Sequence, residues 1–434
     1  MRFLRITTAS SDYVRSFYAA RPGLENRTYE EQLEAFVADH YAWGDALKRP
    51  LEGLGYTYLG VDSAVTPLLS KWREENMVGG EVQTPLGIVV EQARRFDPDI
   101  LMFNSADAAL LAGIKASCPS LRLILGWVGS ALGLRELWRE MDLMLSCAPE
   151  SVEELRRRGA RAEHLNHAFD LQLDETMRSG GIELEMSFVG TIVRRGQFHL
   201  QREELLELIA RDLPLVIFTP STTAGIREYA KALFSGGLHA AASVLSAVRL
   251  LELIHRRSQR LERLIPFASP MKLPVNQRLA RISRPAVYGL EYFDVMRRSR
   301  ISLNIHADSS PRFASNIRLF EATGVGSCLL TDWKPNLGDL FEEDREVMAY
   351  RSADECRAKA KWLLEHPRER SEIARRGQVR VRREHNFEIR ARQLDAIIKR
   401  HLPPTERRSG LAEAKNRILY NRMSTPLSKA GGGA

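Results

Sequence analysis

The chain has 434 residues, of which 44% are apolar and 27% are charged, and its net charge is +8. That length exceeds what one hydrophobic core usually serves, so we expect a globular protein of two domains. The four cysteines are irregularly spaced, and neither a signal-peptide pattern nor an 18-residue uncharged apolar run is apparent, which argues against a disulfide scaffold, secretion and a membrane span and favours the cytoplasm.

The first half alternates short apolar runs with helical patterns, which predicts repeated βα units in a parallel sheet. The predicted strands begin near Arg2, Tyr56, Asp99, Leu121, Asp142 and Arg161. Between the first two lies "TYEEQLEAFVADHYAWGDALKRPLEGLG", whose apolar spacing predicts one long helix ending at Gly53 and Gly55. We expect residues 1–175 to form the N-terminal domain.

A second series of the same kind predicts a similar domain over residues 182–400, after a polar linker that contains Gly180 and Gly181. Its predicted strands begin near Met186, Leu213, Pro285, Arg300, Ser327 and Glu346. About sixty residues, 224–284, do not fit a compact βα unit and predict a helical insertion. That insertion could pack on its own domain, on a second copy in a homodimer, or on a membrane surface.

Two such domains that face one another leave a cleft lined by the carboxyl ends of both sets of strands. The segment "FVGTIVRRG" places Gly190 and Thr191 at one of these strand ends, followed by Arg194 and Arg195. A glycine allows a ligand to approach the backbone, and a guanidinium can bind phosphate oxygens with two parallel hydrogen bonds. A plain turn is the alternative.

The segment "NIRLFEATGVGSCLLTD" predicts a mostly buried helix that leads into a strand, yet it carries Arg318 and Glu321. A diphosphate could bind before Asn316 at the helix N-terminus with Arg318 alongside, and Glu321 could accept hydrogen bonds from two vicinal sugar hydroxyls. The alternative is that the two charges, three residues apart, form an ion pair on the helix surface.

Residues 288–394 resemble the spore-maturation CgeB-like glycosyltransferases of the wider GT-B class. The resemblance is carried by "VYGLEYFDVMRRSRISLNIH", "NIRLFEATGVGSCLLTD" and "LLEHPRERSEIARRGQVRVRREHNFEIRARQL". It implies two Rossmann-like domains, with a nucleotide sugar on the second and an acceptor on the first. It also implies that Glu321 binds the ribose, that basic residues near Arg194 and Arg318 bind the diphosphate, and that neither a metal nor a cofactor is needed.

One departure from the wider class concerns recognition of the transferred sugar. Many relatives carry a second glutamate eight positions before the one matching Glu321, but this chain has Phe313 there. His306, Asp308 and Arg312 are the candidates to replace it.

An inverting transfer also needs a base for the acceptor's proton. Asp12 and Asp107 follow predicted strands of the first domain and are candidates, although an aspartate at a helix start is more often a cap. His306 is a third candidate for a catalytic role, with a purely structural histidine as the alternative.

The basic residues are concentrated near the C-terminus, since residues 368–422 hold sixteen Lys or Arg against seven Asp or Glu. We interpret this as a solvated helix face followed by a basic tail, 401–434, without nucleic-acid binding. The favoured function is sugar transfer from a nucleotide diphosphate, in bacterial surface polysaccharide or glycoconjugate synthesis. A nucleotide-sugar epimerase and a non-catalytic protein that binds through the tail are the alternatives.

Overall fold

The computed structural model describes residues 1–76, 82–129, 136–177, 180–192, 201–220, 230, 233–234, 276–306 and 310–403. They form two α/β domains, each built on a six-stranded parallel sheet. The first sheet consists of β1 (Arg2–Thr7), β2 (Thr57–Asp62), β3 (Ile100–Phe103), β4 (Leu123–Trp127), β5 (Leu143–Ser146) and β6 (Ala162–His164), in the order β2-β1-β3-β4-β5-β6. The predicted strands of this half are thereby confirmed.

The second sheet consists of β7 (Leu184–Val189), β8 (Leu215–Phe218), β9 (Ser283–Arg284), β10 (Ser299–Asn304), β11 (Cys328–Asp332) and β12 (Met348–Tyr350), in the order β12-β11-β10-β7-β8-β9. Its central strands are buried, as expected for a parallel sheet covered on both faces. The strand predicted at Pro285 is wrong, because β9 ends at Arg284. Proline has no N–H with which to continue the ladder.

Eight helices accompany the described part of the first domain and the linker. They are α1 (Ser11–Ala19), α2 (Tyr29–Ala38), α3 (Lys48–Gly53), α4 (Thr66–Glu75), α5 (Pro85–Phe96), α6 (Ala108–Ser117), α7 (Pro149–Arg157) and α8 (Leu173–Thr176), with short 3-10 turns at Leu24–Asn26, Tyr41–Trp43 and Glu136–Glu140.

The described helices that follow are α9 (Gln201–Ile209), α10 (Gln277–Ala280), α11 (Gly289–Arg297), α12 (Arg318–Gly324), α13 (Leu337–Leu340), α14 (Ala353–Glu365), α15 (Pro367–Glu384) and α16 (Phe387–His401). None of the described helices is both long and apolar enough to cross a bilayer. Most of the predicted insertion, including all of residues 235–275, lies outside the described residues, as does the tail beyond residue 403.

The single long helix predicted between β1 and β2 is wrong. A capping box between Thr28 and Glu31 starts α2 as its sequence predicts, but the helix ends at Ala38. His40, Ala42 and Trp43 then adopt positive φ values of 52°, 46° and 79°. Helical spacing of apolar residues continues through this segment, yet its tertiary contacts impose a different backbone.

The final helix returns to the first domain, although the sequence assigned residues up to 400 to the second. Its apolar face, including Phe387, Leu394 and Ile398, joins the core cluster that contains Phe3 and Leu51 of the first domain. The preceding helix α15 carries much of the basic sequence, and there Glu372 pairs with Arg375 at 2.8 Å and with Arg376 at 2.7 Å. Those arginines form part of a charged, exposed helix face.

Candidate functional site

A cavity of about 570 Å³ lies between the two domains, within the usual range for small-molecule sites. Hereafter it is called the cleft. Gly190 and Thr191 follow β7 in its wall, and Asn104 follows β3 on the opposite side. In the second sheet β7 pairs with β8 on one side and with β10 on the other. The cleft therefore lies at the carboxyl edge where the strand order reverses, the usual ligand position in doubly wound sheets.

Glu321 projects from α12 into the cleft and is only 6% exposed. Its Oε2 accepts a hydrogen bond of 2.6 Å from the hydroxyl of Tyr292 on α11. Burial raises the pKa of Glu321 to about 7, and the hydrogen bond from Tyr292 and the charge of Arg318 only partly offset this. A buried carboxyl group at a cavity wall with one hydrogen bond retains free acceptor capacity.

The alternative of a surface ion pair between Glu321 and Arg318 is wrong. Glu321 is buried, and no ion pair within 4.0 Å joins the two side chains among the described residues. The Arg318 side chain also lines the cleft, and its buried Nε has no hydrogen-bond partner in the part of the chain that the structure describes. Both charges thus face the same cavity without satisfying one another.

Gly190 leaves the space that Arg318 occupies. A Cβ atom at position 190 would lie 3.3 Å from Arg318 Nη2 and 3.1 Å from Cζ of Phe188. Thr191 is exposed in the wall of the cleft, and its carbonyl accepts a hydrogen bond of 3.2 Å from Arg202 Nη1. The sequence predicts that a ligand approaches the backbone closely at Gly190. In the structure the side chain of Arg318 makes this close approach.

Asn316 supports Arg318 from within the fold. Its Oδ1 accepts a hydrogen bond of 2.9 Å from the backbone N–H of Arg318, and its Nδ2 donates one of 2.9 Å to Asn304 Oδ1. Asn304 in turn donates to Thr331 Oγ1 at 3.0 Å. Asn316 was predicted to bind the donor, but its side-chain amide is used in these hydrogen bonds, which fix the start of α12.

Of the three predicted catalytic residues, only Asp12 lines the cleft. Its side chain is 61% exposed, 3.5 Å from Arg15 Nη2. Asp107 caps α6 by accepting the backbone N–H groups of Ala109 at 2.9 Å and Leu110 at 3.0 Å. That is the capping role that the sequence offered as the alternative.

His306 is 1% exposed and does not contribute to the cleft wall. Its Nδ1 lies 2.6 Å from Asp332 Oδ1, which also accepts its backbone N–H at 2.9 Å. Lys334 Nζ lies 3.2 Å from the other oxygen of that carboxylate. These contacts tie the end of β10 to the end of β11, as the structural alternative predicts.

Arg312 is exposed at the domain junction rather than in the cleft wall. Its Nη1 pairs with Glu153 Oε2 at 3.0 Å, and its backbone N–H donates to Glu150 Oε1 at 3.1 Å. The remaining predicted donor-binding residues, Arg194, Arg195 and Asp308, lie outside the described residues.

Several residues in the cleft wall were missed by the sequence argument, namely Tyr292, Trp43, Trp127 and His167. Trp127 is the last residue of β4, so the rule that strand ends meet at one edge could have found it. Tyr292 is 29 residues from Glu321 in the chain, and nothing in its local pattern predicts that contact.

No group of three or more His, Cys, Asp or Glu placed to hold a metal occurs within the described ranges. The sequence also contains an Asp-x-Asp triplet, Asp97-Pro98-Asp99, which lies at the amino-terminal edge of the first sheet. There Asp97 binds Ser120 and Arg2, and Asp99 accepts the backbone N–H of Arg2. Both carboxylates thus have fold partners away from the cleft.

Residues 268–396 match the family described as glycosyl transferase-like. No curated protein matches the chain. The Anabaena protein HepE, solved with UDP and glucose, aligns with a TM-score of 0.51 at 11% identity, covering 92% of this chain and 100% of that one. A Rickettsia africae glycosyltransferase gives 0.47 at 9% identity, covering 92% and 98%. Likeness at such identity shows the fold alone, and that fold, with its two parallel-sheet α/β domains, is GT-B.

Proposed function

We propose that this chain is a glycosyltransferase that moves a sugar from a nucleotide diphosphate, such as UDP, to an acceptor bound in the cleft. The observation that carries the proposal is Glu321, a buried carboxyl group in the cleft wall held by a tyrosine instead of a cation. When ionised it can accept hydrogen bonds from the two ribose hydroxyls of a nucleotide. Such ligand contacts would repay the cost of its burial.

In this proposal the diphosphate lies beside Arg318. The bond between the sugar C1 and the phosphate oxygen breaks, a bond from C1 to the acceptor hydroxyl forms, and the diphosphate leaves. Its growing negative charge would be countered by the guanidinium, whose Nε has no hydrogen-bond partner among the described residues. If the reaction inverts configuration, Asp12 is the predicted base that faces the cleft and would take the hydroxyl proton.

The proposal also covers the family group, the reaction type, the cellular location and the donor. The three sequence motifs support membership of the spore-maturation CgeB-like group and a hexosyltransferase activity independent of metal. That resemblance also supports a cytoplasmic enzyme of surface polysaccharide or glycoconjugate synthesis. The HepE complex with UDP and glucose makes UDP-sugars the first donors to test.

Product analysis tests the proposal. The protein is incubated with UDP-glucose and its products are separated by chromatography, with and without a mixture of sugars as acceptors. We expect free UDP, formed slowly by hydrolysis and faster by transfer, and we expect Glu321→Ala to abolish most of it. An isomerised nucleotide sugar without free UDP would instead identify an epimerase and would contradict the proposal.

A further inference from the structure

The first-domain side of the cleft carries an aromatic corner, defined here as Trp43, Trp127 and His167. The ring centroids of the two tryptophans are 4.7 Å apart, and each lies 5.4 Å from the imidazole. All three residues are half-buried and line the same cavity as Glu321. The corner therefore faces the donor-binding wall across the cleft.

The backbone that supplies Trp43 is strained. Trp43 has φ of 79° and Ala42 has φ of 46°, a region that is unfavourable for any residue with a side chain. The segment is tied down at His40, whose Nδ1 lies 2.9 Å from Asp170 Oδ2. Such strain is retained at sites where function fixes the geometry, and here it delivers an indole to the cleft.

The corner also offers a polar atom that could pair with a ligand. Nδ1 of His167 is buried and makes no hydrogen bond within the described part of the chain. Burial and the charge of Arg390 lower the pKa of His167 to about 3, so its imidazole is neutral at physiological pH. A buried polar atom left unpaired costs free energy unless a ligand completes it.

We propose that the aromatic corner binds a neutral sugar ring of the acceptor, an inference that rests on the proposed function. A pyranose presents C–H groups, which pack on aromatic faces, and hydroxyls, which pair with imidazole and indole nitrogens. A lipid chain would leave the buried imidazole nitrogen of His167 unsatisfied.

An anionic acceptor group fits the corner less well than a neutral one. Arg5 is the only cation that the described first domain adds to the cleft wall, and it is 3% exposed. Its Nη1 already donates to the carbonyl of Gly44, and its guanidinium lies over Trp43 at 5.4 Å. A neutral sugar is thus the acceptor class whose C–H groups and hydroxyls match the aromatic rings and the imidazole of the corner.

The test is saturation-transfer NMR on the full chain with UDP and four neutral disaccharides: maltose, cellobiose, lactose and N,N′-diacetylchitobiose. We expect at least one disaccharide to receive saturation, and Trp127→Ala to weaken its binding about tenfold while the UDP affinity changes less than about twofold. Trp362→Ala is the matched control, because that tryptophan is 37% exposed, stacks on His366 just after the end of α14, and is not among the residues that line the cleft.

Trp127→Phe, which keeps a ring but loses the indole N–H, replaces the alanine variant if that variant does not fold, and it should lose less affinity. Unchanged disaccharide binding in the Trp127 variants, or a wild-type protein that binds UDP but none of the four sugars, would overturn the inference. A folded wild-type protein that fails to bind UDP or any nucleotide sugar would speak against the proposed function itself.

Discussion

Two acidic side chains at the carboxyl edge of the second sheet have opposite surroundings. Asp332 bonds to the backbone and ring of His306 and lies 3.2 Å from Lys334. Burial alone would raise its pKa, but these partners lower it. Glu321 has one tyrosine hydroxyl as partner, and burial raises its pKa to about 7.

Under the proposed function, the difference separates a structural carboxylate, Asp332, from a ligand-binding one, Glu321. Asp332 is satisfied within the fold, so replacing it should damage stability. Glu321 is costly to keep ionised in the unliganded protein, so replacing it should damage binding and spare the fold. Each of the following predictions tests one side of this contrast.

The largest effect is expected for Glu321→Gln. Without a carboxylate to accept the ribose hydroxyls, UDP affinity should fall by about tenfold to a hundredfold, the usual worth of hydrogen bonds to a charged group. Isothermal titration calorimetry measures this. Glu291→Gln is the matched control, since Glu291 lies exposed in the first turn of α11, and it should bind UDP like the wild type.

Asp332→Asn should instead lower the free energy of unfolding by about 2 kcal/mol, because it weakens the contacts that His306 and Lys334 make. Chemical denaturation at pH 7.5 measures this value. UDP affinity of the folded variant should stay within about twofold of wild type. If Asp332→Asn kept wild-type stability but could not bind UDP, the roles assigned to Asp332 and Glu321 would be contradicted.

Stability should respond to pH through Glu321. Its folded pKa of about 7 exceeds the ordinary 4.5, so the folded state holds the proton more tightly and stability falls as pH rises through that window. The glutamine of Glu321→Gln does not ionise. The free energy of unfolding of this variant, relative to that of the wild type, should therefore increase from pH 4.5 to pH 7 and stay constant above. Denaturation curves across that range would contradict the account if the difference were flat.

Tyr292→Phe should have a smaller effect on the same site. The hydroxyl lowers the pKa of Glu321, so its loss should raise that pKa further and weaken UDP-glucose binding about threefold to tenfold at pH 7. Raising the pH to 8.5 should recover most of the affinity, because the carboxyl group then ionises. The control is Tyr18→Phe, which removes a hydroxyl that donates to Gln32 outside the cleft. Phe293→Leu is not a suitable control, because Phe293 belongs to the core.

Much of the fold follows from sequence patterns, since apolar runs and helical spacing identified eleven of the twelve described strands. Glu321 and Arg318 were identified because charges inside an apolar helix need a reason. His306, Asp107 and Arg312 were harder, because the same residue types serve as caps, ion pairs and ligands, and only the partners that the fold brings near distinguish these roles. Trp43 depended on a left-handed backbone that no local pattern predicts.

The central claim is most directly tested by a crystal structure with bound UDP. The account predicts both ribose hydroxyls about 3 Å from the Glu321 carboxylate and the diphosphate beside Arg318, between the two sheets. UDP bound elsewhere, with Glu321 still contacting only Tyr292, would contradict it.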